Sequence, residues 1–178
     1  LPVVPLNAGA NALTLEFDRA DTDLRDYVYT IVHCNSNWQP SDLIDNEYID
    51  GFTEDRITEM QPSFGTLSQY VHYSLTLPNR NMRWTKSGNY LLKIFDNTGD
   101  EKELVLVRRF CVVEPIWRIE GHFVKTAAVS KQDTHHEIDF TINYGTTRIT
   151  NAQNDVKAFV LQNGSWSSAL GPIAPYIT

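Results

Sequence analysis

The sequence predicts an all-β protein, one complete β-sandwich followed by part of a second. Apolar and polar residues alternate with a period of two in several separate stretches, which is the mark of strands with one face buried. Turn-forming clusters rich in Gly, Pro, Asn and Asp recur about every 8–12 residues. No stretch carries a sustained helical period, so no helix is expected.

Leu1-Pro2-Val3-Val4-Pro5-Leu6 reads as the inside of an ordered region, and the expectation is a processed or trimmed chain. Leu13, Leu15 and Phe17 then alternate with Thr14, Glu16 and Asp18, and Asp18 to Asp26 forms a polar turn. Tyr27 to Cys34 is a β-branched and aromatic run without a polar face, as expected of a strand covered on both sides. Arg56 to Pro62 reads as one short strand, placed at an edge because its proline cannot continue a ladder. From Tyr70 to Leu77, Val71, Tyr73, Leu75 and Leu77 share one face, until Pro78-Asn79 stops the strand.

In the next strand the charge on Lys93 assigns Tyr90, Leu92 and Ile94 to the core. A tyrosine entering a late strand behind the Gly-containing turn Ser87-Gly88-Asn89 matches the tyrosine corner of immunoglobulin/fibronectin-III-like sandwiches. Asp96-Asn97-Thr98-Gly99-Asp100 turns the chain into a partner strand from Leu104 to Val113. Pro115 interrupts the pattern, so the boundary is placed there, giving domains 1–114 and 115–178. After it, strands are expected at Trp117–Val124, around His136 to Ile142, and at Val156–Leu161. Asn163-Gly164 makes a turn, and Ser167 to Thr178 is small, polar and Pro-rich. So few strands expose too much sheet for a stable domain, and the expectation is an incomplete sandwich supported by docking or by further strands.

Composition excludes several functions. The formal net charge is −7 and the pI about 5.1, and the 15 basic residues form no stripe, which argues against nucleic acid as a partner. No apolar run reaches the ~18 residues of a membrane helix, so direct membrane insertion is not expected. Cys34 and Cys111 leave an inter-sheet disulfide and two buried thiols both open, with the thiols favoured by the usual burial of free cysteine. His135 and His136 point to opposite faces of a strand and cannot share a metal, and His33 reads as a hydrogen-bonded core residue. A calcium loop starting at Asn46 fails, because Tyr48 and Ile57 occupy ligand positions. No nucleophile has a base that sequence can place beside it. Neither catalysis nor a metal or other cofactor is expected.

The stretch between Asn35 and Asp55 holds the candidates for interaction or loop anchoring: Trp38, Asp42, Asp45, Glu47, Tyr48, Phe52 and Asp55, with Trp84 in a later connection. Large rings are costly to leave in water. The expectation is that Trp38 and Phe52 fold back against the sandwich, leaving the acidic residues and Tyr48 outward as a rigid negative rim.

Order and spacing in this region carry a family resemblance. Tyr27-x-Tyr29, His33-Cys34-x-x-x-Trp38-x-Pro40-Ser41-Asp42-Leu43 and Glu47-Tyr48-x-x-Gly51-Phe52-x-Glu54-Asp55-x-Ile57 come first. Tyr70-x-His72-Tyr73, Leu77-Pro78-Asn79-x-x-Met82-Arg83 and Ser87-Gly88-Asn89-Tyr90 follow in order. Together they resemble the first domain of the type IX secretion system plug protein family of the Bacteroidetes. The resemblance implies a non-catalytic, exported periplasmic protein associated with the outer membrane. Its partner would be the large outer-membrane translocon barrel, whose periplasmic opening it blocks. The alternative is a surface or periplasmic glycan-binding sandwich in which Trp38 and Trp84 stack sugar rings.

Overall fold

In the computed structural model, which describes residues 1–20 and 22–175, the first strands are Val3–Pro5 (β1), Leu13–Arg19 (β2) and Tyr27–Cys34 (β3). Ile49–Gly51 (β4), Asp55–Arg56 (β5), Glu59–Pro62 (β6) and Val71–Leu77 (β7) follow, then Met82–Trp84 (β8), Gly88–Asp96 (β9) and Glu103–Val113 (β10). One sheet runs β1-β10-β9-β3-β5, a second β2-β7-β6, and β4 pairs with β8. The chain is all-β. Strands β3, β9 and β10 stand where an immunoglobulin domain has C, F and G, and β2, β7 and β6 where it has B, E and D.

Alternation does what it predicts in β7 and β9. Val71, Tyr73, Leu75 and Leu77 are buried, and so are Tyr90, Leu92 and Ile94 across from them. Tyr27, Tyr73 and Phe17 pack ring to ring between the sheets, Tyr27 edge-on to both others at 5.4 and 4.8 Å. At the other end Tyr90 stacks on Phe110 at 5.2 Å. The Tyr90 hydroxyl donates to the Lys86 carbonyl at 2.8 Å, a bond back to the preceding corner that a buried phenol needs.

Several expectations are corrected. Arg56 to Pro62 is two strands, because the chain changes sheets there. β5 pairs with β3 and β6 with β7, and buried Ile57 fills the crossing. The opening residues form a parallel strand on β10, Val3 beside Cys111. A helical turn, Asp45–Tyr48 (α1), lies in the expected connection, with the Glu47 carboxylate accepting the Ile44 N–H at 2.9 Å. Cys34 and Cys111 lie in the same sheet, on either side of Asn89 in β9. Two strand spacings set their backbones about 10 Å apart, beyond the ~7 Å limit for a bridge. Both thiols are free. Burial pushes each above the ordinary cysteine range. Of the expected Asp18–Asp26 turn, Asp21 lies outside the described residues.

The chain divides into two compact units, Leu1–Glu114 and Pro115–Thr178. In the second unit Arg118–Val124 (β11) pairs with Glu137–Asn143 (β12), and Ala158–Gln162 (β13) with Ser165–Ile173 (β14). A 3-10 turn at Val129–Lys131 and a helical turn, Ala152–Asp155 (α2), connect them. The small, Pro-rich segment is thus a strand up to Ile173, while residues 176–178 lie outside the described residues. Asn163 and Gly164 both have positive φ, 53° and 68°, the geometry a two-residue hairpin requires. Ile119, Phe123, Ile138, Phe140 and Ile142 share one face of the β11–β12 ribbon, yet Phe123 is 73% exposed. Among the described residues of this unit only Val156 is a buried hydrophobic.

Candidate interaction surface

The excursion from Asn35 to Glu54 is tied down at each step. Asn35 starts it: its Oδ1 accepts the N–H groups of Asn37 and Gln39 at 2.9 and 3.2 Å, so its side chain wraps the turn. Trp38 takes a positive φ of 62° there, and its half-buried ring lies under the Arg109 guanidinium, 4.8 Å away, on the outer side of the five-stranded sheet. His33 bonds through Nδ1 to Ser41 Oγ (2.8 Å) and through Nε2 to the Ser87 carbonyl (3.2 Å), pinning the outgoing chain to the loop before β9.

Tyr48 is the deepest anchor. It is 3% exposed, with its ring 5.7 Å from His33 and 6.1 Å from Tyr90. Its hydroxyl donates to Asp45 Oδ1 at 2.5 Å. Burial first, then the Asp45 hydrogen bond and charge, push this phenol well above the ordinary tyrosine range. Helix geometry explains the pairing, since positions three apart in α1 share a face. Ile49 follows into the core, and β4 pairs with β8, whose Trp84 is 3% exposed and tilted against Phe110 at 5.6 Å. Gly51 sits at φ 109°, where an added Cβ would lie 2.2 Å from the Asn81 carbonyl oxygen. The next N–H, of Phe52, donates to that same oxygen at 2.7 Å.

Asp55 closes the excursion through a polar network. Its Oδ2 accepts from the Tyr29 hydroxyl (3.2 Å) and from Asn81 Nδ2 (2.9 Å), and Asn79 Nδ2 donates to the Tyr29 oxygen at 2.8 Å. Burial, with the charge of Asp55 adding, pushes Tyr29 up to about 12. This network borders a half-open cleft of about 350 Å³ rimmed by Arg56, Glu59 and Arg80.

The predicted residues therefore separate into two groups. Tyr48, Asp55 and Trp84 are internal anchors, and Trp38 is a half-buried clasp on the sheet. Asp42, Asp45 and Glu47 are exposed on the outgoing and helical part, as is the neighbouring Asp50, with Phe52 62% exposed beyond them. This reverses the expected assignment of two rings: Tyr48 is inside and Phe52 outside. Burial of Trp84 and the cation over Trp38 also mean that these two rings do not form an open pair for a sugar to stack on. Sequence reasoning missed Asn35, Asn79, Asn81 and Gly51 as the parts that shape the surface. The available signals were an Asn directly after a strand, an Asn after Pro78, and a Gly before a lone Phe. Among the described residues no three His, Cys, Asp or Glu side chains gather as metal ligands do, and no helix is long and apolar enough to cross a membrane.

Residues 1–114 match the model of the type 9 secretion system plug protein 1st domain. Among solved structures, a hypothetical protein from Parabacteroides merdae ATCC 43184 is similar over 100% of this chain, with a TM-score of 0.83 and 30% identity. The chain spans 44% of that protein's length. No curated protein matches.

Proposed function

The chain belongs to the type 9 secretion system plug protein family, and we propose that it is a non-catalytic periplasmic component that binds and seals the outer-membrane translocon barrel of that system. The observation that supports this best is the preorganised excursion. Tyr48 and Asp55 make their hydrogen bonds within the sandwich, while Asp42, Asp50 and Phe52 face outward. A plug shaped before it meets its pore avoids the cost of ordering a loop on binding, about 0.5–1.5 kcal/mol for each flexible side chain immobilised. An acidic, aromatic-tipped rim suits a partner of opposite charge and speeds encounter at low salt.

Charge reversal at Asp42 and Asp50 tests this, because neither carboxylate takes part in the anchoring described above. Asp45 and Glu47 are unsuitable, since they hold Tyr48 and Ile44. In pull-downs of the barrel from native outer membranes with the full-length protein, D42K/D50K should bind several-fold more weakly at low salt. The deficit should shrink as salt screens the interaction. Wild-type protein that captures no barrel at any salt concentration would refute the proposal.

A further inference from the structure

Strand β2 is paired on one side only, and we infer that its open edge is a pairing site for an extended segment of a partner protein in which apolar and basic residues alternate. β2 lies against β7 without a bulge over all seven of its residues, from Leu13 beside Leu77 to Arg19 beside Val71. Among the described residues no backbone group of 13–18 is bonded on the other side. In sandwiches with strand order A-B-E-D the first strand covers that side, but here β1 pairs with β10 instead. About half of the N–H and C=O groups of β2 therefore point away from β7, as a template for one more strand. The other edges are guarded. β1 has three residues and ends in Pro5, β5 has two, and β6 has four and ends in Pro62. The part of β10 that β1 leaves open carries a bulge between Leu104 and Leu106. β2 contains neither proline nor glycine.

Both faces of the edge define the occupant. On the core side Leu13, Leu15 and Phe17 are half-buried, whereas Leu77, Leu75 and Tyr73 beside them in β7 are 1%, 6% and 0% exposed. Every second side chain of an added strand would cover that uncovered flank, so those positions are apolar. On the outer side stand Thr14, Glu16 and Asp18, all exposed. Asp18 bonds to His72 Nδ1 at 2.7 Å, while Glu16 has no ion pair or hydrogen bond among the described residues. The ionisable residues on the outer face of β2, β7 and β6 are Glu16, Asp18, Glu59 and His72, with no Lys or Arg. Arg19, the last residue of β2, is on the core side, where Nη1 donates to the Tyr27 hydroxyl at 3.4 Å. Residues 6–12 before the strand carry no charge, and the one cation of 20–26, Arg25, lies 3.9 Å from Asp96. Opposite charges on neighbouring strands stabilise the pair and like charges oppose it, so the outward positions of the added strand are basic. A second copy of β2 does not fit, because pairing two such edges antiparallel about their centres sets Glu16 against Glu16.

The test uses the full-length protein at low salt with two synthetic eight-residue peptides, one alternating valine and lysine, the other valine and glutamate. Amide hydrogen exchange over residues 13–19 is followed during each titration. With the lysine peptide the outward amides of β2 should exchange slower by about tenfold or more, and with the glutamate peptide they should not change. Glu16→Lys, at an exposed and unbonded position, should melt like wild type and bind the lysine peptide several-fold more weakly. An equal response to both peptides, no response to either, or unchanged binding by Glu16→Lys overturns the inference. Outward amides already protected in the protein without peptide also overturn it: the edge is then closed by the chain itself or, where the protection grows with protein concentration, by a second copy. No barrel takes part in the measurement, so either result leaves the plug reading where it stands.

Discussion

Tyr48→Ala removes the ring on which the excursion is hung. Tyr48 is 3% exposed between His33 and Tyr90, and its backbone carbonyl accepts the Thr85 N–H at 2.9 Å beside the β4–β8 pair. Deleting a buried aromatic side chain costs about 3–5 kcal/mol, from lost transfer energy and the cavity left behind. For a unit of this size each kcal/mol moves the melting temperature by roughly 4 °C, so the first unit should melt about 12–20 °C lower. Tyr48→Phe keeps the ring and loses only the hydroxyl bond to Asp45. Because Asp45 is exposed and regains water, that loss is about 1 kcal/mol, or roughly 4 °C. Calorimetry measures both, and native-state amide exchange over residues 41–52 shows whether the excursion loosens, as it should in the alanine variant. A Tyr48→Ala protein that melts within about 4 °C of wild type, with unchanged exchange in that segment, would show that Tyr48 does not anchor the surface.

Two further predictions follow from the same geometry. Tyr29, Tyr48 and Tyr90 are all held above the ordinary tyrosine value in the folded state, by burial first. Their contribution to stability is therefore complete below about pH 10 and is lost as pH rises through the folded values, which for Tyr29 is about 12. Denaturant titrations above pH 10 should lose roughly 1.4 kcal/mol per pH unit for each tyrosine, less at Tyr29, whose hydroxyl opens on a cleft. A flat stability profile there would contradict the buried placement. Gly51→Ala puts a methyl where the Asn81 carbonyl stands and forces an unfavourable φ, so urea unfolding should show a loss of roughly 2–4 kcal/mol. A loss below about 0.5 kcal/mol would mean that the β4–β8 corner relaxes freely.

The strand faces of β2, β7 and β9 were legible in the sequence because alternation is local: residues two apart share a face whatever the strand pairs with. The same locality made Tyr90 readable as a corner residue, since its hydroxyl partner, Lys86, is only four positions upstream. The family was legible through ordered spacing across the excursion and the strands after it. Only the tertiary structure decided the facts that need a distant partner. Cys34 and Cys111 stay too far apart to bridge because β9 lies between their strands, and no spacing in sequence encodes which strand intervenes. Arg56 to Pro62 divides because two sheets compete for its ends. Tyr48 is inside because His33 and Tyr90 leave room for its ring, and Phe52 is outside because the bond of its N–H to Asn81 follows a glycine that crowds that same carbonyl. Hydrophobicity alone would put Phe52 inside before Tyr48. In a connection without a repeating period, burial is set by the shape of the surface against which the chain folds back, and that surface exists only after strands far apart in sequence have paired.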